Sequence, residues 1–138
     1  MSLNWIGLVA ALAVFFGIWV GHVAVRRIEF ISPTLWLPVL AALSLGLACE
    51  IGAILSQNLY LSTALGILGV TLLWDALEFR RQERRVLKGH APANPANPRH
   101  ARILVESPRA TTIDWLQRDP VGRRLSSDEL QAIQEGGE

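Results

Sequence analysis

Three uninterrupted apolar runs constrain this chain more than any other feature. The first, Leu3 to Val25, holds no charged residue, and its only strongly polar residues are Asn4 and His22. As a helix its 23 residues rise about 34 Å, enough to cross a hydrocarbon core of about 30 Å. The second, Leu35 to Leu55, and the third, Leu59 to Phe79, are also long enough to span. Only Ser56-Gln57-Asn58 separates the last two, so they form a tight antiparallel hairpin. Pro38 falls early in the second run, so either the regular helix begins close to it or the helix kinks there. The expected fold is an all-α membrane protein with three transmembrane helices, at about 3–25, 35–55 and 59–79. The third should extend to about residue 88, because Arg80 to Lys88 are mostly good helix formers and Gly89 suits a helix terminus. A mostly irregular cytoplasmic tail containing short helices follows.

Charge is placed as unevenly as hydropathy. Residues 1–79 hold two basic and four acidic side chains, against eleven and eight in residues 80–138. All thirteen Lys and Arg fall in the 26–34 loop or in the tail. The positive-inside rule then puts the N-terminus outside and the tail in the cytoplasm, with a bacterial inner membrane as the expected location. Trp5 and Tyr60 would lie near the outer interface, Trp36 and Trp74 near the inner one. The first run does not read as a signal peptide, since no basic segment precedes it and Arg26-Arg27 follows it directly. Arg26, Arg27, Arg80, Arg81, Arg84, Arg85 and Lys88 form a basic flank suited to anionic lipid headgroups.

The expected organisation is a three-helix transmembrane domain over 1–89, a Pro/Asn-rich linker over 90–102 and a docking tail over 103–138. The Pro-Ala-Asn repeat in 91–98 reads as an extended, polyproline-like spacer. Ile103-Leu104-Val105 reads as a brief strand. Thr111-Thr112 could cap a helical turn, and Ser126 with Glu129 has capping-box spacing. Fewer than 40 residues follow the spacer, too few to bury a core of their own. Trp115, Ile113, Leu116, Leu130 and Ile133 are the apolar side chains through which such a tail would dock on a partner.

Few residues could carry chemistry. His22, Glu50, Asp75 and Glu78 lie within or at the edge of the spans, where ionisable groups are costly. Glu78 can reach the interface or pair with Arg81, and His22 and Asp75 share a similar depth. Glu50 lies five residues before Leu55, about 7–8 Å inside the outer end, with no basic side chain at that depth. It reads first as a neutral, hydrogen-bonded acid, and second as part of a proton path. A six-coordinate haem would need a second axial ligand, and His90 and His100 are in the tail; a pigment needs one ligand, which leaves His22 as a candidate. The single cysteine, Cys49, excludes an internal disulfide and reads as a packing residue. No catalytic constellation or metal pattern is present, so neither an enzyme nor a resident metal is expected, and no nucleic-acid partner. Small residues recur every four positions at Ala13, Gly17 and Gly21, at Ala42 and Gly46, at Ala48 and Gly52, and at Ser62 and Gly66. Such stripes permit close helix packing, within the chain or against partners.

The segments Trp74-Asp75-Ala76-Leu77-Glu78, Gln82 to Gly89 and Asn94-Pro95 are the most specific stretch of the chain. With Leu3 to Leu8 and His22, they make residues 3–99 resemble an uncharacterised family of short bacterial multi-pass membrane proteins, classed as a domain of unknown function. The chain departs from it at His90, where the family usually has an aromatic residue, and in the 100–138 extension. The resemblance implies the architecture and brings no activity.

The leading functional expectation is an accessory or scaffold subunit of a larger membrane complex, respiratory, photosynthetic or transport. Its partners would be other membrane subunits and structural lipids, with a homo-oligomer as a further arrangement. The alternative is a self-assembling proton or small-ion conductor that uses Glu50.

Overall fold

The structure is a computed structural model that describes residues 4–117 and 125–135. Its helices in chain order are α1 (Trp5–Ile31), α2 (Trp36–Leu55), α3 (Leu59–Leu87), α4 (Pro98–Glu106) and α5 (Ser127–Glu135). The described residues contain no strand. The chain divides into two compact units, Met1–Arg81 and Gln82–Glu138.

In the first unit, α1, α2 and α3 are each long and apolar enough to cross a membrane. Asn4 starts α1 by accepting the Gly7 N–H on its Oδ1 at 3.0 Å. The helix does not end at Val25, as predicted, but six residues later at Ile31, so Arg26 and Arg27 are helical and not in a loop. Two arginines are good helix formers and nothing before Ser32-Pro33 opposes continuation. The predicted first residue, Leu3, lies outside the described residues. Pro38 is resolved by the early start of α2: it occupies the first turn, where its missing N–H costs nothing and no kink is needed. Asn58 then caps α3, its Oδ1 accepting the Tyr60 and Leu61 N–H groups at 3.0 and 3.2 Å.

α3 is the shared partner of the other two. Gly17 and Gly21 of α1 meet Thr71 and Asp75 of α3, so the two run parallel. Gly46, Glu50, Gly52 and Ala53 of α2 meet Leu73, Gly69, Leu65 and Gly66, so that pair is antiparallel. Ser62 Oγ adds a hydrogen bond to the Ala53 carbonyl at 2.8 Å. A Cβ on Gly46 would lie 2.8 Å from Leu73 Cγ and 3.0 Å from the Gly69 carbonyl, so only glycine allows this approach. The core of the unit, Val25, Ala42, Ala76 and Phe79 with Leu35 and Val39 against it, gathers all three helices. The predicted small-residue stripes are therefore largely consumed inside the chain; Ala48 is exposed.

The second unit corrects the tail. The 91–98 segment is no extended spacer, and Ile103-Leu104-Val105 is no strand. Asn97 caps α4, accepting the Arg99 N–H on Oδ1 at 3.0 Å, with Pro98 at the first helical position. Upstream, the Asn94 carbonyl accepts the Asn97 N–H at 3.0 Å and Asn94 Oδ1 accepts that of Ala96 at 3.0 Å. The repeat is thus a pair of Asx turns feeding a helix. Val86, Ala91, Ala93 and Ile103 form a small core, backed by Leu104 and Ala110. The end of α3 supplies Val86, which is why so short a tail can bury a core at all. Gly89 closes α3 with φ +71° and sits against the Arg109 carbonyl. The predicted capping box forms at α5: Glu129 N–H donates to Ser126 Oγ at 3.3 Å, and Ser126 N–H to Glu129 Oε2 at 2.9 Å.

Gly89 tests this assembly. Gly89→Ala should destabilise the second unit by more than the roughly 1 kcal/mol that positive φ alone costs an L-residue, because a Cβ also meets backbone. Hydrogen exchange should accelerate over residues 84–111 and stay unchanged in α1 and α2.

Candidate functional site

Two intramembrane carboxyls of the first unit are seated alike. Glu50 of α2 packs over Gly69 of α3: a Cβ there would lie 2.5 Å from Glu50 Oε1 and 2.9 Å from its carboxyl carbon. Asp75 of α3 packs over Gly21 of α1: a Cβ there would lie 2.5 Å from Asp75 Oδ2. Each carboxyl uses the missing side chain of a neighbouring glycine to leave the apolar exterior and reach helix backbone. Glu50 Oε1 is buried there without a hydrogen-bond partner. Cys49, beside it in sequence, is half-buried.

These carboxyls do not share a seam. Positions 69 and 75 point about 120° apart around α3, with roughly 9 Å of rise between them. Glu50 lies between α2 and α3, Asp75 between α1 and α3. His22 and Glu78 are close enough to act on the Asp75 charge, which makes this end of the α1–α3 seam a polar cluster. His22 itself is exposed on the surface of α1. Glu78 pairs with Arg81 at 3.4 Å, and the Arg81 guanidinium stacks 4.7 Å over Trp74. Among the described residues no group of three or more His, Cys, Asp or Glu side chains could hold a metal ion.

Of the predicted basic flank, Arg27, Arg80, Arg81, Arg84 and Lys88 are exposed, and Arg26 and Arg85 are half-buried. Arg85 donates to Gln82 Oε1 at 2.8 Å. Among the predicted docking residues, Trp115 is 38% exposed, Leu116 74% and Leu130 38%, while Ile113 and Ile133 are half-buried. Trp115 and Leu116 lie in a turn held by Asp114, whose Oδ1 accepts the Leu116 N–H at 3.1 Å.

The second unit holds a buried polar cluster that the sequence reading missed. Gln82, Asn97, Arg99 and His100 are all buried, and His100 is wholly enclosed. Arg99 Nη1 meets Glu83 Oε1 at 2.8 Å. His100 Nδ1 accepts the Asn94 N–H at 2.9 Å, which assigns the ring proton to Nε2 while that bond is made. Asn97-Pro98, an N-cap followed by proline at the first helical position, was the available signal, and the Pro-Ala-Asn repeat masked it. Glu29 was missed too. It is 1% exposed and continues the four-residue stripe Gly17, Gly21, Val25, but its place after the arginine pair gives it the sequence signature of a loop.

A family described as a domain of unknown function (DUF4491) matches residues 4–97. The chain belongs to this family. Searches of curated proteins and of solved structures find no match. The family segment covers α1, α2, α3, the Gly89 turn and the first Asx turn, and it ends at the residue that opens the second and caps α4. Both carboxyl–glycine seats lie inside it.

The Glu83–Arg99 pair is the sharpest handle on the second unit. Glu83→Gln should cost about 1–3 kcal/mol, because it removes a charged hydrogen-bond partner from a nearly buried guanidinium. The double variant Glu83→Gln/Arg99→Gln should recover part of that loss. Hydrogen-exchange protection of α4 in a double-mutant cycle measures both.

Proposed function

We propose that the chain is a small integral membrane accessory or scaffold subunit of a larger membrane complex, on which a cytoplasmic-side partner docks through the second unit. One observation carries this reading: α4 keeps a large apolar side chain out of the core of its unit. It turns Arg99 and His100 into the unit and leaves Val105 87% exposed. Leu116 nearby in sequence is 74% exposed. Large apolar side chains left exposed on a unit that buries Arg99 and His100 are what a partner surface would cover. The small-residue stripes no longer support this reading, since the chain uses most of them itself.

The rest of the reading follows from charge. A bacterial inner membrane with the N-terminus outside agrees with the basic residues at the inner ends of α1 and α3. Arg27, Arg80, Arg84 and Lys88 would meet anionic headgroups, so structural lipids are expected ligands. The role is structural and not enzymatic. The partner complex is respiratory, photosynthetic or transport in class.

The docking surface has a direct test. Val105→Asp and Leu116→Asp each replace an exposed side chain that the second unit does not need for its core. Each should weaken recovery of a stoichiometric membrane partner by about tenfold, corresponding to about 1.4 kcal/mol. Insertion and hydrogen exchange of residues 84–111 should be unchanged. Recovery of the chain alone from wild-type membranes, after gentle extraction, sinks the reading.

Glu50 favours a second reading, a self-assembling proton or small-ion conductor, because its buried oxygen has no partner. Purified protein in liposomes loaded with a pH dye should then give a flux that Glu50→Gln abolishes. An unchanged flux in that variant removes Glu50 from any path.

A further inference from the structure

We propose that the outer face of α2 is a packing surface for α2 of a second copy of this chain, with Ser44 hydrogen-bonded to Ser44 of that copy in the middle of the membrane. The inference goes beyond the reading above and does not depend on what docks on the second unit.

Spacing gives the face its shape. Leu37, Ala41, Ser44, Ala48, Ile51 and Leu55 recur at alternating intervals of four and three, and all six are exposed. A period of 3.5 lines one side of a helix and is the seam along which two helices coil. The buried residues of α2, Ala42 and Gly46, lie off this seam. The seam is small in its middle and large at both ends. Ala41, Ser44 and Ala48 make a shallow trough about 10 Å long, with Leu37 at one end and Ile51 and Leu55 at the other. The other two spanning helices are bulky at similar positions along their spans. There α1 turns Phe15, Phe16 and Ile18 outward, and α3 turns Val70 outward. Large side chains of that kind suit lipid tails, whereas small ones let a second backbone approach.

The Ser44 hydroxyl is a second, independent observation. Four serines and threonines lie in α1, α2 and α3. Three of them donate to backbone carbonyls: Ser62 Oγ to Ala53 at 2.8 Å, Thr63 Oγ1 to Leu59 at 2.7 Å and Thr71 Oγ1 to Leu68 at 2.9 Å. Ser44 Oγ makes no such bond within the described residues, and the side chain faces outward near the midpoint of α2. A hydroxyl left without a partner in hydrocarbon is costly, so a polar group from outside the chain is expected to meet it.

Symmetry selects the occupant. Two copies insert the same way, so their α2 helices run parallel and like positions meet across a two-fold axis normal to the membrane. Each seam residue then faces its own image. Ala41 and Ala48 allow close approach, and Ser44 meets Ser44 of the second copy. A hydroxyl both donates and accepts, so it can pair with its own image, which a donor-only or acceptor-only side chain cannot do. The seam carries no charge, so no repulsion opposes the pairing.

The test uses the full chain in liposomes. In a Cys49→Ala background, single cysteines are placed in the seam (Ala41→Cys, Ser44→Cys, Ala48→Cys) or beside it (Leu45→Cys, Leu47→Cys) and oxidised with copper phenanthroline. Energy transfer between donor- and acceptor-labelled copies is followed alongside as the membrane is diluted with lipid. The expected result is disulfide-linked dimers from the three seam positions and few from the two flanking ones. Ala48→Leu should raise the dissociation constant at least about tenfold, and Ser44→Ala about threefold, the value of one hydrogen bond between helices in lipid. Phe16→Leu, on α1, should leave it unchanged. Wild type that shows no transfer at any dilution has lipid on this face and overturns the proposal. Cross-linking as strong at Leu45→Cys and Leu47→Cys as in the seam overturns it too, as does a dissociation constant that neither Ser44→Ala nor Ala48→Leu alters.

Discussion

Glycine on one helix opposite a carboxyl on another is the contact on which the first unit depends. Apolar side chains gain little by leaving lipid for one another, so helices in a bilayer associate through close packing and polar contacts. α3 makes both kinds twice, giving Asp75 to Gly21 on one flank and taking Glu50 on Gly69 on the other. Each seat demands a fixed register. A shift of one residue along either helix would set a carboxyl against a Cβ or turn it into the apolar exterior. Gly46 against Leu73 and the Gly69 carbonyl locks the second seam one turn from its carboxyl. The polar groups that make this bundle expensive are therefore also what makes its packing specific.

The same residues explain what could be read from sequence. Spans were legible because length and the absence of charge suffice to recognise them, and the observed helices match the predicted runs. Their ends were less so. Arg26-Arg27 marks where hydrocarbon stops, but a helix stops where its backbone is capped or broken, and Ser32-Pro33 does that for α1. Glu29 was lost between those two criteria. Glu50 and Asp75 stood out as candidates from depth alone. Their glycine seats did not, because Gly69 lies outside any stripe of small residues and its partner is in another helix.

In the tail, local chemistry and composition pointed different ways. A Pro-Ala-Asn repeat has the composition of a spacer, yet each Asn is a turn former and Asn97-Pro98 is a helix start. What decides between them is a place to fold against, which the charged extension of α3 provides. Val86 and Glu83, on the membrane-flank stretch, are the core residue and the ion-pair partner of the second unit. A segment that reads as a basic flank of a span is also half of a small folded body, and only the tertiary contacts distinguish the two roles.

The orientation of α4 then bears on why such a body exists. Burying Arg99 and His100 is dearer than burying an apolar side chain, so the helix needs partners for both to be held this way round. It is held by bonds that leave no choice. Asn97 fixes where the helix starts, Glu83 takes the guanidinium and the Asn94 N–H takes His100 Nδ1. With those satisfied, Ile103 is the helix's buried apolar side chain, and Val105, two residues on, must face away from it. The exposed valine is thus a consequence of specific polar contacts and not of loose packing. The first unit has an apolar exterior that suits lipid. The second leaves a smaller apolar surface outward, fixed in place by the polar contacts of Arg99 and His100.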